Sequence, residues 1–137
     1  MKRYMSLDIG DRTIGIAVSD LLGLTAQGVE TIRRKSLEDD LKRLGELMDA
    51  YETKSLVSGL PKNMDGTEGP RAEKARQFKA LLEEASGMPV ILWDERRSTI
   101  EAHAILHAAG KKEKKHRANV DAVAATLLLE GHLASGK

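Results

Sequence analysis

The sequence predicts an α/β protein in which helices cover a mixed β-sheet. Two short apolar runs lie back to back near the start of the chain, joined by a polar turn, and a third follows. Beyond residue 36, apolar runs of strand length alternate with segments of helical period. A meander followed by alternating helices and strands implies antiparallel and parallel neighbours within one sheet. At 137 residues, the chain is expected to form a single domain, residues 1–137, around one core.

Residues 4–10 (YMSLDIG) and 13–19 (TIGIAVS) form the first pair. Ile14, Ile16 and Val18 alternate with smaller residues, a strand period, and the short polar turn makes the pair a β-hairpin. A third strand is expected within 25–32, where Gly28 suggests a bulge or a sheet edge. Ser36 opens a helix to about Tyr51, with Leu37, Leu41, Leu44 and Met48 as its apolar stripe. Residues 55–60 (SLVSGL) read as a buried strand, followed by a loop rich in Gly and Pro at 61–70. A loop of that length in a small domain tends to be functional. A second helix is expected over 71–85, with Ala75, Phe78, Leu82 and Ala85 facing inward. Pro89 precedes a short strand at 90–93. Ser98 and Glu101 fit a capping box for a helix ending at Gly110, and a last helix runs from about Asn119 to Gly131.

Composition narrows the function. Hydrophobic residues make up 41% and charged residues 31%, while Lys+Arg 22 nearly cancels Asp+Glu 21. That balance argues against a disordered tail. Cysteine is absent, which excludes disulfides, thiolate metal sites and cysteine nucleophiles. The basic start is followed by a stretch interrupted by Asp8 and Asp11, so it does not read as a signal peptide. No apolar run is long enough to span a membrane, and the expected location is the cytoplasm. The four aromatics, Tyr4, Tyr51, Phe78 and Trp93, are too few for rows of rings stacking on bases.

Three carboxylates sit where a charge needs a reason. Asp8 lies between Leu7 and Ile9 in the first strand and is costly there if buried alone. It could instead face solvent or cap the turn, although crevices for ligands form at the carboxyl ends of strands in α/β sheets. Asp94 and Glu95 end the strand VILWDERRST, where pairing with Arg96 or Arg97 is the plainer reading. Asp121 opens the last helix, where an acid favours the helix dipole. Ala124, Ala125 and Leu128 follow at helical spacing and put it beside a small-residue face. Brought together, Asp8, Glu95 and Asp121 would repel unless cations neutralised them. Hard Mg²⁺ or Mn²⁺ suits such oxygen donors, and two such ions can serve phosphodiester hydrolysis.

DIGDRTIGIAVSD at 8–20, SGLPKNMDGTEGPRA at 58–72, WDERRST at 93–99 and DAVAATLLLEG at 121–131 occur in this order. Together they resemble the YqgF/RuvX family, Holliday-junction-resolvase-like nucleases of the ribonuclease H superfamily. The resemblance implies an RNase H-like five-stranded sheet with strands 1–3 antiparallel and strands 4 and 5 parallel to strand 1. It implies metal-dependent cleavage of nucleic acid with Mg²⁺ or Mn²⁺, centred on maturing the 5′ end of pre-16S ribosomal RNA, with cleavage of four-way DNA as the alternative substrate. Carried over by motif, Asp8, Glu95 and Asp121 are the metal-binding and catalytic residues, and Asp94 ranks second. The loop motif maps onto Gly59 to Ala72, where Asn63 is a candidate substrate contact and a purely structural turn is the rival reading. Arg97 stands where the family often has an apolar or aromatic residue. Related resolvases also carry an acid at the end of strand 4, where this chain reads Ser58-Gly59-Leu60.

Lys111, Lys112, Lys114, Lys115 and Arg117 precede the last helix and, with Arg96 and Arg97, form a candidate strip for nucleic-acid phosphates. Arg33, Arg34 and Lys35 could extend it. His103, His107, His116 and His132 show no catalytic pairing and are expected at the surface. The expected partners are precursor rRNA or branched DNA, with ribosomal precursor particles in addition, and the protein acts as a monomer or homodimer. Two other readings remain open. One is a non-catalytic nucleic-acid or ribosome-assembly module of the same fold. The other is half of an actin or sugar-kinase type ATPase, whose phosphate-binding hairpin DIGDRTIGIAVSD also resembles.

Overall fold

A computed structural model describes residues 3–94 and 120–135, with side chains in the second stretch described from Val123 onward. Its strands are β1 (Arg3–Ile9), β2 (Thr13–Ser19), β3 (Ala26–Arg33), β4 (Thr53–Leu60) and β5 (Val90–Asp94). The described helices are α1 (Leu37–Ala50), α2 (Pro70–Ser86) and α3 (Val120–Ala134). The strands form one sheet in the order β3-β2-β1-β4-β5. Pairing is antiparallel across β1, β2 and β3, and parallel across β1, β4 and β5. This is the mixed RNase H-like sheet that the sequence predicts. The helix expected between Ser98 and Gly110 lies outside the described residues.

The pleat sorts the sheet into two unlike faces, because successive side chains alternate. Met5, Leu7, Ile14, Ile16 and Leu56 are fully buried among Leu44, Met48, Phe78 and Leu82 of α1 and α2. The other face carries Ala17, Val57 and Trp93 against Ala125, Leu128 and Leu129 of α3. There Ser6 Oγ donates to the Ala125 carbonyl at 2.6 Å, a buried hydrogen bond between β1 and α3. β3 forms the edge of the sheet. Its register slips between Ile16 and Ala17, which pair with Glu30 and Gly28, so Val29 is the extra residue of a bulge beside the glycine.

Ser36 caps α1, its side chain accepting from the Asp39 amide at 3.1 Å. The buried side of that helix is rotated from the predicted stripe. Leu37 is 41% exposed, whereas Asp40 and Leu47 are buried with Leu44 and Met48. Asp40 turns inward because Arg34, the first residue after β3, reaches its carboxylate at 2.8 Å. In α2 the inward positions are Ala72, Ala75, Phe78 and Leu82. Ala85, expected inward, is exposed; Leu82 is the last buried residue of the helix, which Gly87 terminates with φ 70°.

Two expectations for the last helix need correction. Gly131 does not end it; the helix runs on to Ala134. A Cβ on Gly131 would meet the Trp93 indole at 3.3 Å, so the glycine serves a close approach of helix to ring. His132 is buried rather than exposed, at 1% accessibility, edge-on to Tyr4 and Trp93 with centroids 5.8 and 5.7 Å away. Among the described residues neither of its ring nitrogens has a hydrogen-bond partner. Desolvation holds its pKa below the ordinary imidazole value.

Gly131→Val should destabilise the fold by about 1–3 kcal/mol, because the branched side chain overpacks a buried ring. Urea melts of the two proteins would check this. For His132, the unfolded chain takes up a proton that the fold excludes as pH drops below about 6.5. Stability is therefore full above that value and declines below it. The urea midpoint should fall between about pH 7.5 and about pH 5.5, and His132→Leu should flatten that dependence.

Candidate functional site

Parallel pairing brings the carboxyl ends of β1, β4 and β5 to one edge of the sheet. Asp8, the last residue but one of β1, lies at that edge, half-buried and opposite Gly15 of β2. The strand period places its side chain on the face of Ser6, the face covered by α3. Asp8 is not isolated there; the residue has an interaction partner.

The direction of α3 follows from its contacts. His132 lies against Tyr4 at the start of β1, and Ala125 against Ser6 in its middle. The helix thus runs antiparallel to β1, and its first turn heads toward the strand's carboxyl end. Asp121 belongs to that first turn, four residues before Ala125. Four residues of helix rise about 6 Å, close to the about 7 Å that separates Ser6 from Asp8 along a strand. The backbone at Asp121 is therefore carried toward the level of Asp8.

Asp94 is placed differently. β5 pairs Trp93 with Gly59 and Asp94 with Leu60. Trp93 packs against α3, so alternation sends Asp94 to the opposite face, that of α2. It ends its strand at the same edge as Asp8 but not on the same side. Glu95, Arg96, Arg97, Lys111, Lys112, Lys114, Lys115 and Arg117 lie outside the described residues, as do His103, His107 and His116. Among the described residues no three His, Cys, Asp or Glu side chains gather in a metal-binding group.

Residues 61–69 form a loop braced from within. The Asn63 amide donates to the Thr67 carbonyl at 2.8 Å, and the Asn63 side-chain amide to Thr67 Oγ1 at 2.9 Å. Thr67 in turn donates from both its amide and its hydroxyl to Asp65. Glu68 grips Arg76 of α2 with two 2.7 Å bonds, which hold its carboxyl below the usual range. Asn63 thus has a structural task, although it remains exposed. Met64 stands out at 98% accessibility.

Across the sheet from Asp8's face, a cavity of about 220 Å³ opens between α2 and the carboxyl ends of β1 and β4. Arg34, Arg71 and Lys74 line it, with Asp11 as an opposing acid. The buried Asp40 that fixes Arg34 was missed by sequence reasoning, as was the cavity. The available signal was an acid among the apolar positions of α1, at helical spacing from Leu44 and Leu47.

Comparison with known proteins agrees with this geometry. A family model described as RuvX, Holliday junction resolvase, matches residues 2–135. A protein of Halothermothrix orenii, provisionally named pre-16S rRNA nuclease, is 50% identical over 131 residues, covering 96% of this chain and 94% of its own. One from Clostridium botulinum with the same provisional name is 50% identical over 133 residues, 97% of each chain. Among solved structures, Thermus thermophilus RuvC in complex with a Holliday junction superposes with a TM-score of 0.61 at 12% identity, over 100% of this chain and 98% of that one. The Fowlpox virus resolvase with its junction DNA gives 0.56 at 13% identity, over 97% of both chains. At such identities the likeness is one of fold.

Proposed function

This chain belongs to the RuvX family, and from that premise we propose that it is a metal-dependent nuclease that hydrolyses phosphodiester bonds in 5′-end maturation of pre-16S rRNA. The observation that carries the reading is Asp8, a carboxylate at the carboxyl end of the central strand β1, on the face toward which the first turn of α3 heads. The names of the half-identical relatives supply the substrate. The whole chain, residues 1–137, is proposed to act as a single domain in the cytoplasm. Among the described residues no helix is long and apolar enough to cross a membrane.

In this reading Asp8, Glu95 and Asp121 hold Mg²⁺ or Mn²⁺, with Asp94 kept second by its place on the other face. The donor set fits: carboxylate oxygens match hard cations, and the chain contains no cysteine to favour a softer metal. Bound there, divalent cations would activate water and stabilise the negative charge that builds on the phosphate and leaving-group oxygens. The chain's own part is positional. β1 lies between two hydrogen-bonded neighbours, so the Asp8 carboxylate is carried on a rigid element. The Ser6–Ala125 bond and the close packing of α3 hold the helix that bears Asp121 at a set height over it. Arg96, Arg97, Lys111, Lys112, Lys114, Lys115 and Arg117 would neutralise substrate phosphates, with Asn63 at the loop edge. Ribosomal precursor particles are the proposed setting, with the protein acting as a monomer or homodimer.

Cleavage of four-way DNA is a second reading, favoured by the description of the matched family. Both readings use the same carboxylates, so cleavage products decide between them. Precursor rRNA and a four-way junction should be incubated in parallel with Mg²⁺ or Mn²⁺. The wild type is expected to cut the rRNA near the mature 5′ end. Asp8→Asn should lower the rate by at least about 100-fold with an unchanged melting curve, and EDTA should stop the reaction. Undiminished cutting by Asp8→Asn would refute the assignment.

A further inference from the structure

The cavity beside α2 has features that the carboxylate site does not use. Arg34 is held in place on three sides. Its Nε donates to Asp40 at 2.8 Å, its Nη1 donates to the Gly10 carbonyl at 2.8 Å, and its guanidinium lies 5.6 Å over the Phe78 ring. Asp40 is itself buried, at 1% accessibility. An arginine fixed in this way has lost its rotamer freedom before any ligand arrives, which favours binding. Its Nη2 has no partner among the described residues. Arg71 and Lys74, exposed on the adjacent turns of α2, have no ion-pair partner there either. They stand across the same cavity. The cavity floor includes Gly10 and Gly59, where no side chain blocks the backbone. Asp40 offsets the charge of Arg34, and Arg71 and Lys74 then face one exposed acid, Asp11, so the pocket stays positive.

We propose that this cavity is a phosphate site, separate from the carboxylate site across the sheet, and that it seats a backbone phosphate of the bound strand beside the cleaved bond. The general claim of a phosphate ligand stands on the cavity itself; the assignment of that phosphate to the substrate strand rests on the nuclease reading. The connection between the sites is short. Gly10 is two residues from Asp8, at most about 7 Å along the chain, on the turn that rounds the sheet edge. A strand whose scissile phosphate lies at Asp8 can cross that edge and place a neighbouring phosphate against Arg34, Arg71 and Lys74. The planar, anchored guanidinium is suited to phosphate oxygens, and Lys74 adds a point charge. Such contacts position a strand without reading its bases.

The test uses the full chain in EDTA, so that binding is measured without cleavage. In one arm, a labelled single-stranded RNA 12-mer is titrated by fluorescence anisotropy at several salt concentrations. In the other, inorganic phosphate is titrated while the amide signals of Gly10 and Gly59 are followed by NMR. The double variant Arg71→Gln, Lys74→Gln replaces two exposed side chains with good helix formers, so its melting curve should match the wild type. It should bind RNA about tenfold more weakly, with a log–log salt slope reduced by about one. Inorganic phosphate should shift Gly10 and Gly59 in the wild type and not in the variant. Shifts with phosphate but unchanged RNA affinity would retain the site and overturn its assignment to the strand, pointing to a free phosphoryl ligand. No change in either arm would overturn the proposal altogether. Neither arm depends on turnover, so a failed Asp8→Asn cleavage test would refute the nuclease and leave this result readable.

Discussion

The 2.6 Å hydrogen bond from Ser6 to the Ala125 carbonyl sets how the last helix lies on the sheet, and the site depends on that placement. A helix carbonyl is ordinarily occupied by the amide four residues on. An additional donor from a strand can reach it only where helix and sheet approach closely. Small residues permit this: Ala17 on β2, Ala125 in α3 and Gly131 one turn before the helix ends. At Gly131 the gap is closed by the indole of Trp93, so the helix is gripped by a hydrogen bond at one point and a ring at another. With its height and direction thus determined, the first turn of the helix has little freedom over the end of β1. A carboxylate pair proposed to share a cation needs that constraint, since repulsion between acids would otherwise spread them apart.

The period of two along a strand separates chemistry as well as burial. Asp8 follows Ser6 on the α3 face, whereas Asp94 follows Leu92 on the α2 face. Gly10 then begins the turn around the edge, with its amide bonded to the Thr13 carbonyl at 2.8 Å. A Cβ at Gly10 would meet that carbonyl at 3.2 Å, which explains a glycine in this tight turn. Its own carbonyl receives Arg34. One hairpin therefore presents an acid to one face and supports an arginine on the other. Asp8 and Arg34 are thus kept on opposite faces of the sheet, and the arginine is paired instead with the buried Asp40.

Periodicity made most of the architecture legible. The hairpin, the bulge beside Gly28, the Ser36 cap and the alternating β4–α2–β5 order all follow from local chemistry that tertiary packing reinforces. Misread positions share another feature: their environment comes from residues distant in sequence. Gly131 looked like a helix stop because nothing nearby reveals that Trp93 would press against it. His132 looked superficial because its apolar surroundings, Tyr4 and Trp93, come from β1 and β5. Leu37 looked buried, yet Arg34 draws Asp40 inward and the buried side of α1 is rotated away from Leu37. For the candidate site, the motifs proposed Asp8, and β1 carries that residue to the carboxyl-end edge of the sheet. The faces of Asp8 and Asp94 could not be distinguished without the strand register.

The four aromatic residues now constrain how a substrate can be held. Trp93 and Phe78 are buried at 8% and 6% accessibility. Tyr4 packs beside His132 and α3, with the Lys54 ammonium 4.6 Å over its ring, and Tyr51 packs against the larger core. Each ring is therefore engaged in the fold, and none is left as an open platform for a base. Aromatic stacking contributes about 1–3 kcal/mol per base in proteins that use it, so affinity here must come from elsewhere. Fixed cations are the remaining means. One of them, Arg34, is held rigid by the same Phe78 ring that fills the core. The scarcity of aromatics thus shapes both fold and recognition: the core claims the rings, and phosphates rather than bases become what this surface is equipped to hold.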